Sequence, residues 1–416
     1  MSTSIGIRRE DKNKWERRVP LTPQAVARLV AAGYDVVVQP STVRIFDDEQ
    51  YRQAGATVAE DLSGCGLVLA VKEIPPHLID GPRAYLFFSH TIKGQAHNMP
   101  LLRRILDTGA TLIDYEPVVG ADGLRLVHFG RFAGLAGAID GLWGLGQRIG
   151  TALADLGPAW SYPDLASALE AVRIAGDRIR SQGFGSAPLV IGVVGDGNVA
   201  RGALEVLDAL GAVDVSPDTM GSATDPHTIY QVRFGESDTV SAGDAVFDLS
   251  DYRQDPGRYH STFAGFLSHL TLLINAMYWD ERGPRLVSRE DLRNGGDLQL
   301  IADLSCDIDG GVEATVRSTT PDDPIYVYDP ATAMATSGFT GPGVAVLAVD
   351  HLPCELPLDS SRSFSDALEP WIPALADADY SAAVLDLPAP WRKAVIAHQG
   401  ELTQTHAWLR DPLSDG

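Results

Sequence analysis

The chain has 416 residues, and its 33 Lys+Arg against 55 Asp+Glu give a formal net charge of −22. A surface this negative repels phosphate backbones and anionic lipid, which argues against nucleic-acid or membrane partners. Hydrophobic residues at 45% and charged residues at 21% describe a folded chain long enough for two domains and exclude general disorder.

The elements, in chain order, begin with a strand at Ile5–Ile7 and a helix opened by Leu21-Thr22-Pro23. Thr22 can cap that helix and Pro23 fits its first turn; Val26, Leu29 and Val30 give it an apolar face and it stops near Gly33. Strands follow at Tyr34–Val38, Leu67–Val71, Tyr85–Phe88 and Thr111–Ile113, with a helix at Leu101–Leu106 before the last. Residues 131–183 read as mostly helical, with Gly134, Ala136, Gly137, Ala138, Gly141 and Gly144 permitting close packing. A second alternating series then runs through Leu189–Val194, Ala245–Leu249, Leu272–Asn275, Leu300–Leu304 and Ile325–Tyr328. A helical pattern around Val344–Leu347 leads past Asp350, and Trp391–Ile396 and Leu402–Leu409 are the helical stretches of the tail. Strands alternating with helices predict parallel sheets covered on both faces, an α/β protein.

The longest apolar runs are strand-sized, far short of a membrane span. Arg8, Arg9, Glu10, Asp11 and Lys12 stand where the apolar part of a signal segment would begin, so a cytoplasmic location is expected. Cys65, Cys306 and Cys354 lie far apart without a Cys-x-x-Cys pattern, which points to neither a disulfide framework nor a zinc site, and no metal is expected.

Leu189–Val194 runs directly into Gly195-Asp196-Gly197-Asn198-Val199-Ala200-Arg201-Gly202 and then a helical pattern through Leu204, Val206, Leu207 and Leu210. This is G-x-G-x-x-A between a strand and a helix, the setting of a dinucleotide turn. Gly195 permits the tight turn, and Gly197 lets the backbone approach a pyrophosphate seated at the helix N-terminus. Asp214, 19 residues after Gly195, is near the distance of a carboxylate that holds the ribose 2′-hydroxyl, with Asp218 competing. Arg201 is the close cation that would favour a 2′-phosphate, so both NAD(H) and NADP(H) stay open.

Three strands run into ionisable residues: Lys72-Glu73, Ser89-His90-Thr91, and Asp114-Tyr115-Glu116. A parallel sheet delivers all three to one carboxyl edge, where α/β folds bind ligands. A lysine and a histidine held together divide acid and base roles, since each charge depresses the other's pKa, and Glu73 and Glu116 can restore the balance. Arg18, just before the helix start, is placed to bind a carboxylate, with Arg17 competing. Ala302-Asp303-Leu304-Ser305-Cys306-Asp307 puts further carboxylates at a strand end. Cys306 and Cys354 read as small buried residues, not nucleophiles.

Gly6–Arg18 with Pro20-Leu21-Thr22-Pro23 closely resembles the start of the lysine–ketoglutarate reductase domain, the lysine-forming saccharopine dehydrogenases, more distantly related to alanine dehydrogenase. The likeness continues at Gln39-Pro40-Ser41-Thr42, Phe87–Thr91, Asn98–Leu102, Phe129–Gly134, Gly144–Arg148, Ile274–Trp279, Ala302–Asp307 and Val349–Pro353, spanning about residues 5–370. The resemblance implies two Rossmann-like domains with an interdomain cleft. Residues 1–134 and 343–416 are expected to form the substrate domain with its tail, and 135–342 the dinucleotide-binding domain. It implies an NAD(P)H-dependent oxidoreductase that reduces the imine formed between lysine and 2-oxoglutarate. By motif, Lys72 and His90 resemble the acid–base pair, tuned by Glu73 and Glu116. Arg18 resembles the carboxylate binder, and the resemblance places Asp350 near the substrate amine. Asp307 resembles the acidic residue beside the nicotinamide, and Gly195, Gly197, Asn198, Val199, Ala200, Arg201 and Asp214 complete the cofactor set. The rival readings are a reductive aminase with a different amine or keto acid, and a non-catalytic NAD(P)-binding homologue that would need neither Lys72, His90 nor Arg18.

Overall fold

A computed structural model describes residues 4–243, 246–294, 296 and 298–414. The chain forms two units, Met1–Phe129 with Pro357–Gly416, and Gly130–Leu356.

In the first unit β1 (Ile5–Ile7), β2 (Val36–Val38), β3 (Thr57–Val58), β4 (Leu67–Leu69), β5 (Ala84–Phe87) and β6 (Thr111–Asp114) run parallel in the order β6-β5-β4-β1-β2-β3. Every residue of β1, β4, β5 and β6 is buried, as a sheet covered on both faces requires. The helix Pro23–Ala31 starts as the sequence predicts, with Thr22 accepting from the Ala25 amide and Pro23 in the first turn. The tail departs from expectation. Ala389–Lys393 and Arg410–Ser414 are the short α-helices there; Val395–His398 and Glu401–Leu402 add two antiparallel strands outside β6, and Gln404–Leu409 is a 3₁₀ turn.

The second unit contains β7 (Leu189–Val194), β8 (Val213–Val215), β9 (Ile229–Phe234), the pair β10 (Val240–Ser241) and β11 (His260–Ser261), β12 (Leu272–Asn275), β13 (Leu300–Asp303), β14 (Ile325–Asp329), β15 (Met334–Ser337) and β16 (Val344–Leu347). Its large sheet is ordered β15-β14-β16-β13-β12-β7-β9-β8 and is parallel except at β14 and β15. From β7 the chain builds β9 and β8 on one side, then β12 and β13 on the other. The switch in direction beside β7 is where open α/β sheets bind ligands.

Two strand expectations are corrected. Val246, Phe247 and Asp248 lie in no strand, Val246 is 93% exposed, and Leu249 opens a short helix; Ala245 lies outside the described residues. The strand beside β7 is instead Ile229–Phe234, whose polar Gln231 and Arg233 hide it from a search for apolar runs. Val344–Leu347 is a fully buried strand, not a helix; four consecutive apolar residues carry no period that separates the two. Because that strand pairs with β13 and β14, the chain returns to the first unit at Pro357, later than the expected 343.

The small residues of the helix Gly130–Ile149 do what close packing needs. A Cβ at Gly134 would sit 1.8 Å from the Val199 carbonyl oxygen, and one at Gly144 2.2 Å from Ile325. Among the described residues no helix is long and apolar enough to cross a membrane, and no cluster of three metal-ligating side chains occurs.

Candidate active site

Four adjacent parallel strands of the first sheet, β6, β5, β4 and β1, each run off the carboxyl edge into ionisable residues. From β4 come Lys72 and Glu73; from β5, His90. His90 has a left-handed backbone (φ 54°), unusual outside glycine, and its Nδ1 lies 2.5 Å from Glu73 Oε1. The other carboxylate oxygen of Glu73 accepts from Lys12 Nζ at 3.2 Å. Burial works against ionisation of Glu73, yet the hydrogen bond and charge of His90, then Lys12, hold its carboxyl well below the usual range. From β6 come Asp114, which accepts from the Ser89 and Glu116 amides at 2.9 and 2.8 Å, and Glu116, which accepts from Arg125 at 3.0 Å. Burial pushes Asp114 up.

Lys72 Nζ has no hydrogen-bond partner among the described residues. Burial first, then the charges of Arg18 and Lys12, depress its ammonium, with Glu73 and Glu16 opposing. A lysine so shifted is a base nearer neutral pH than a surface lysine. The expected Arg18 is there, but buried at 2% exposure, its Nε and Nη2 on Glu16 at 2.7 and 2.5 Å and its guanidinium 4.2 Å over the Phe129 ring. Burial opposes ionisation of Glu16, but the charge and hydrogen bonds of Arg18 hold it below the usual range.

At the carboxyl edge of the second sheet, Gly195 has φ +113°, and a Cβ there would come within 2.9 Å of the Ala276 carbonyl oxygen. Only glycine satisfies both constraints. Nothing lies within 4 Å of a Cβ placed at Gly197, and the helix Asn198–Leu210 begins there with no side chain capping it. An open cradle against uncapped backbone amides fits a pyrophosphate. Asn198, Val199, Ala200 and Arg201 form the first turn, Arg201 donating to Asn198 Oδ1 at 3.1 Å.

Asp214 is not brought to that turn. It sits mid-strand on β8, level with Gln231 and one strand removed from β7, and binds Arg233 and Gln231 at 3.1 Å each. The residues that β9 does deliver are Gly235, Glu236, Ser237 and Asp238: the Gly195 amide donates to the Phe234 carbonyl at 2.9 Å, and Asp196 Oδ2 lies 3.4 Å from a Cβ at Gly235. The missed strand β9 explains the missed residues. On the other side Asp303, its carboxyl raised by burial, accepts from Asn275, Ser305 and Thr315 at 2.8, 2.8 and 2.5 Å. Those bonds anchor the turn in which Cys306 has φ 55° and Asp307 is exposed. Burial, then the charges of Asp303, Asp350 and Asp307, push the Cys306 thiol up to about 12, which agrees with an inert cysteine. Asp350 contacts His351 Nδ1.

Glu10 and Glu16 also belong to this cluster and were not among the expected site residues. The strand-end rule applied to Ile5–Ile7 finds Glu10; nothing in the run Arg8–Arg18 distinguishes Glu16 from a surface charge.

Residues 6–136 match the N-terminal domain of alanine dehydrogenase/PNT, and residues 181–405, more than half of the chain, match its C-terminal domain. The chain belongs to the alanine dehydrogenase/PNT family. It is 38% identical to an alpha-aminoadipic semialdehyde synthase of Arabidopsis thaliana, over 97% of this chain and 41% of that protein. It is 28% identical to a saccharopine dehydrogenase [NAD(+), L-lysine-forming] of Emericella nidulans, over 90% of this chain and 93% of that one. These relatives bear out the resemblance to the lysine–ketoglutarate reductase and saccharopine dehydrogenase branch. The chain spans less than half the length of the plant and mammalian semialdehyde synthases it matches. An L-alanine dehydrogenase structure superposes with a TM-score of 0.61 at 18% identity, covering 99% of each chain, which bears out the fold.

Proposed function

We propose that the chain is a lysine-forming saccharopine dehydrogenase, an NAD(P)-dependent oxidoreductase. It condenses the ε-amine of lysine with the keto carbon of 2-oxoglutarate and reduces the resulting imine. The observation that carries this reading is the Lys72/Glu73–His90 cluster on one sheet edge, with the lysine depressed by burial and neighbouring cations. Neutral Lys72 takes a proton from the substrate ammonium, freeing the lone pair that attacks the keto carbon. His90, held through Nδ1 by Glu73, offers its other ring nitrogen to the carbinolamine oxygen and donates the proton with which water departs. Arg18, oriented by Glu16, supplies positive charge toward a substrate carboxylate, with Glu116 toward the amine.

Gly195, Gly197, Asn198, Val199, Ala200 and Arg201 would hold the dinucleotide, and Asp307 would be the acidic residue toward its nicotinamide. When bound, the reduced nicotinamide supplies the hydride that converts the imine to a secondary amine. The cofactor is NAD(H): Glu236 and Asp238, not Asp214, follow the strand beside β7, and with Asp196 they repel a 2′-phosphate. The reaction is placed in the cytoplasm, in keeping with three unbridged cysteines.

The test is the loss of reduced-nicotinamide absorbance with lysine and 2-oxoglutarate, using NADH and NADPH in parallel. Oxidation that needs both substrates and runs at least ~10-fold faster with NADH is expected, a ratio equivalent to 1.4 kcal/mol. Binding of NADH without turnover refutes the lysine assignment, and other amine–keto acid pairs are then screened.

A further inference from the structure

The end of β1 carries a carboxyl group that no step of the proposed reaction uses. Glu10 is 7% exposed. Its Oε1 accepts from the Val71 amide at 2.6 Å and its Oε2 from the Lys72 amide at 3.0 Å. One side chain thus takes both amides of the turn that leads into Lys72 and Glu73, a cross-brace between neighbouring strands just past the last β1–β4 register pair, Ile7 with Leu69. The brace has no obvious substitute. β4 ends at Leu69, so the sheet ladder no longer fixes Val71 or Lys72 from that side, although Val71 still gives its carbonyl to the Phe88 amide at 3.1 Å.

The charge around Glu10 is also specific. Burial and the charge of Glu16 push its carboxyl up to about 8, against the two backbone amides and Arg8, which lower it. Tyr115, from the end of β6, faces it as well: its hydroxyl is buried without a hydrogen-bond partner among the described residues, and its pKa is raised by burial and then by Glu10 and Asp114. Set among Glu16, Arg8 and Tyr115, Glu10 is shifted toward its protonated form by burial and the charge of Glu16. A neutral Glu10 adds no negative charge to draw Lys72 back toward its protonated form.

We propose that Glu10 is a positioning residue: its buried carboxyl fixes the Val71–Lys72 turn and thereby sets the orientation and the basicity of Lys72. The proposal rests on the assignment of Lys72 as a base, and misplacement of a catalytic group by about 1 Å can cost on the order of 10²-fold in rate.

The experiment compares Glu10→Ala and Glu10→Gln with the parent chain in two assays. The first is steady-state kinetics with NADH, lysine and 2-oxoglutarate. The second needs no substrate: the pH dependence of amine labelling at Lys72, read by peptide mass spectrometry. Glu10→Ala is expected to lower kcat by about 10²-fold, to leave KM for NADH within twofold, and to abolish the preferential labelling of Lys72 below the pH at which surface lysines react. Glu10→Gln, uncharged and able to accept one of the two amides, is expected to recover at least tenfold of the lost kcat. A Glu10→Ala protein with kcat within threefold of the parent, or with an unchanged Lys72 labelling profile, overturns the proposal. Should Glu10→Ala fail to fold, Glu10→Asp takes its place. Its arm is too short to reach both amides, so unchanged Lys72 labelling in it overturns the proposal equally. If the parent turns over no lysine and 2-oxoglutarate, the functional reading fails, and the labelling still decides the role of Glu10.

Discussion

The buried pair of Glu16 and Arg18 is the sharpest stability test of the first unit. Both side chains are 2% exposed and joined by two hydrogen bonds of 2.7 and 2.5 Å. Substituting Glu16→Gln keeps the shape and an acceptor oxygen but removes the Glu16 charge from beside the Arg18 guanidinium, which is buried over the Phe129 ring. Breaking a buried pair from one side costs about 3–5 kcal/mol, because the remaining charge is uncompensated. For a unit of this size, about 2–4 °C per kcal/mol puts the expected fall in melting temperature at roughly 6–20 °C. Differential scanning calorimetry of the whole chain is the assay. The double variant Glu16→Leu with Arg18→Met removes both charges and is expected to regain most of the lost stability but to lose activity, because the proposed carboxylate-binding cation is gone. A Glu16→Gln protein that melts within 2 °C of the parent would falsify the description of this pair as a buried ion pair.

Four further outcomes follow from the same geometry. His90→Ala should retain NADH binding and lose ~10²-fold or more of kcat; unchanged turnover removes it from proton transfer. Gly195→Ala, forced against the Ala276 carbonyl at φ +113°, should weaken NADH binding at least ~10-fold, equivalent to 1.4 kcal/mol, without moving the first unit's melting transition; equilibrium fluorescence titration checks it. Asp214→Ala should leave the NADH dissociation constant within twofold, since Asp214 lies mid-strand against Arg233; a fivefold change would restore it as the ribose reader. Stability should fall as pH rises from 4.5 toward about 8 through Glu10, whose folded form keeps a proton that the unfolded chain releases. That contribution is fully present below 4.5 and is lost through about 8. Urea unfolding across this range should show Glu10→Gln with a flatter profile, and an identical slope in both proteins counts against the raised carboxyl.

Local patterns in the sequence were enough for much of this protein. An unbroken apolar run, then G-x-G-x-x-A, then an amphipathic period specifies a strand, turn and helix because each demand is met within about twenty residues. The strand-end positions of Lys72, His90 and Glu116 followed similarly, since a parallel sheet sends every strand's last residues to one edge. Pairing across the chain was another matter. Strand Ile229–Phe234 sits next to Leu189–Val194 although its own residues alternate polar and apolar, and only the sheet order brings Gly235–Asp238, not Asp214, beside the Gly195 turn. Val344–Leu347 has no period of its own and becomes a strand because β13 and β14 flank it on either side. Arg18 and Glu16, two residues apart and outwardly part of a charged surface run, become a buried pair in the folded unit, where Arg18 lies over Phe129, more than a hundred residues away. Burial and long-range partners set those outcomes, and both belong to the tertiary structure because desolvation and Coulomb energy depend on distance in space, which sequence separation does not record.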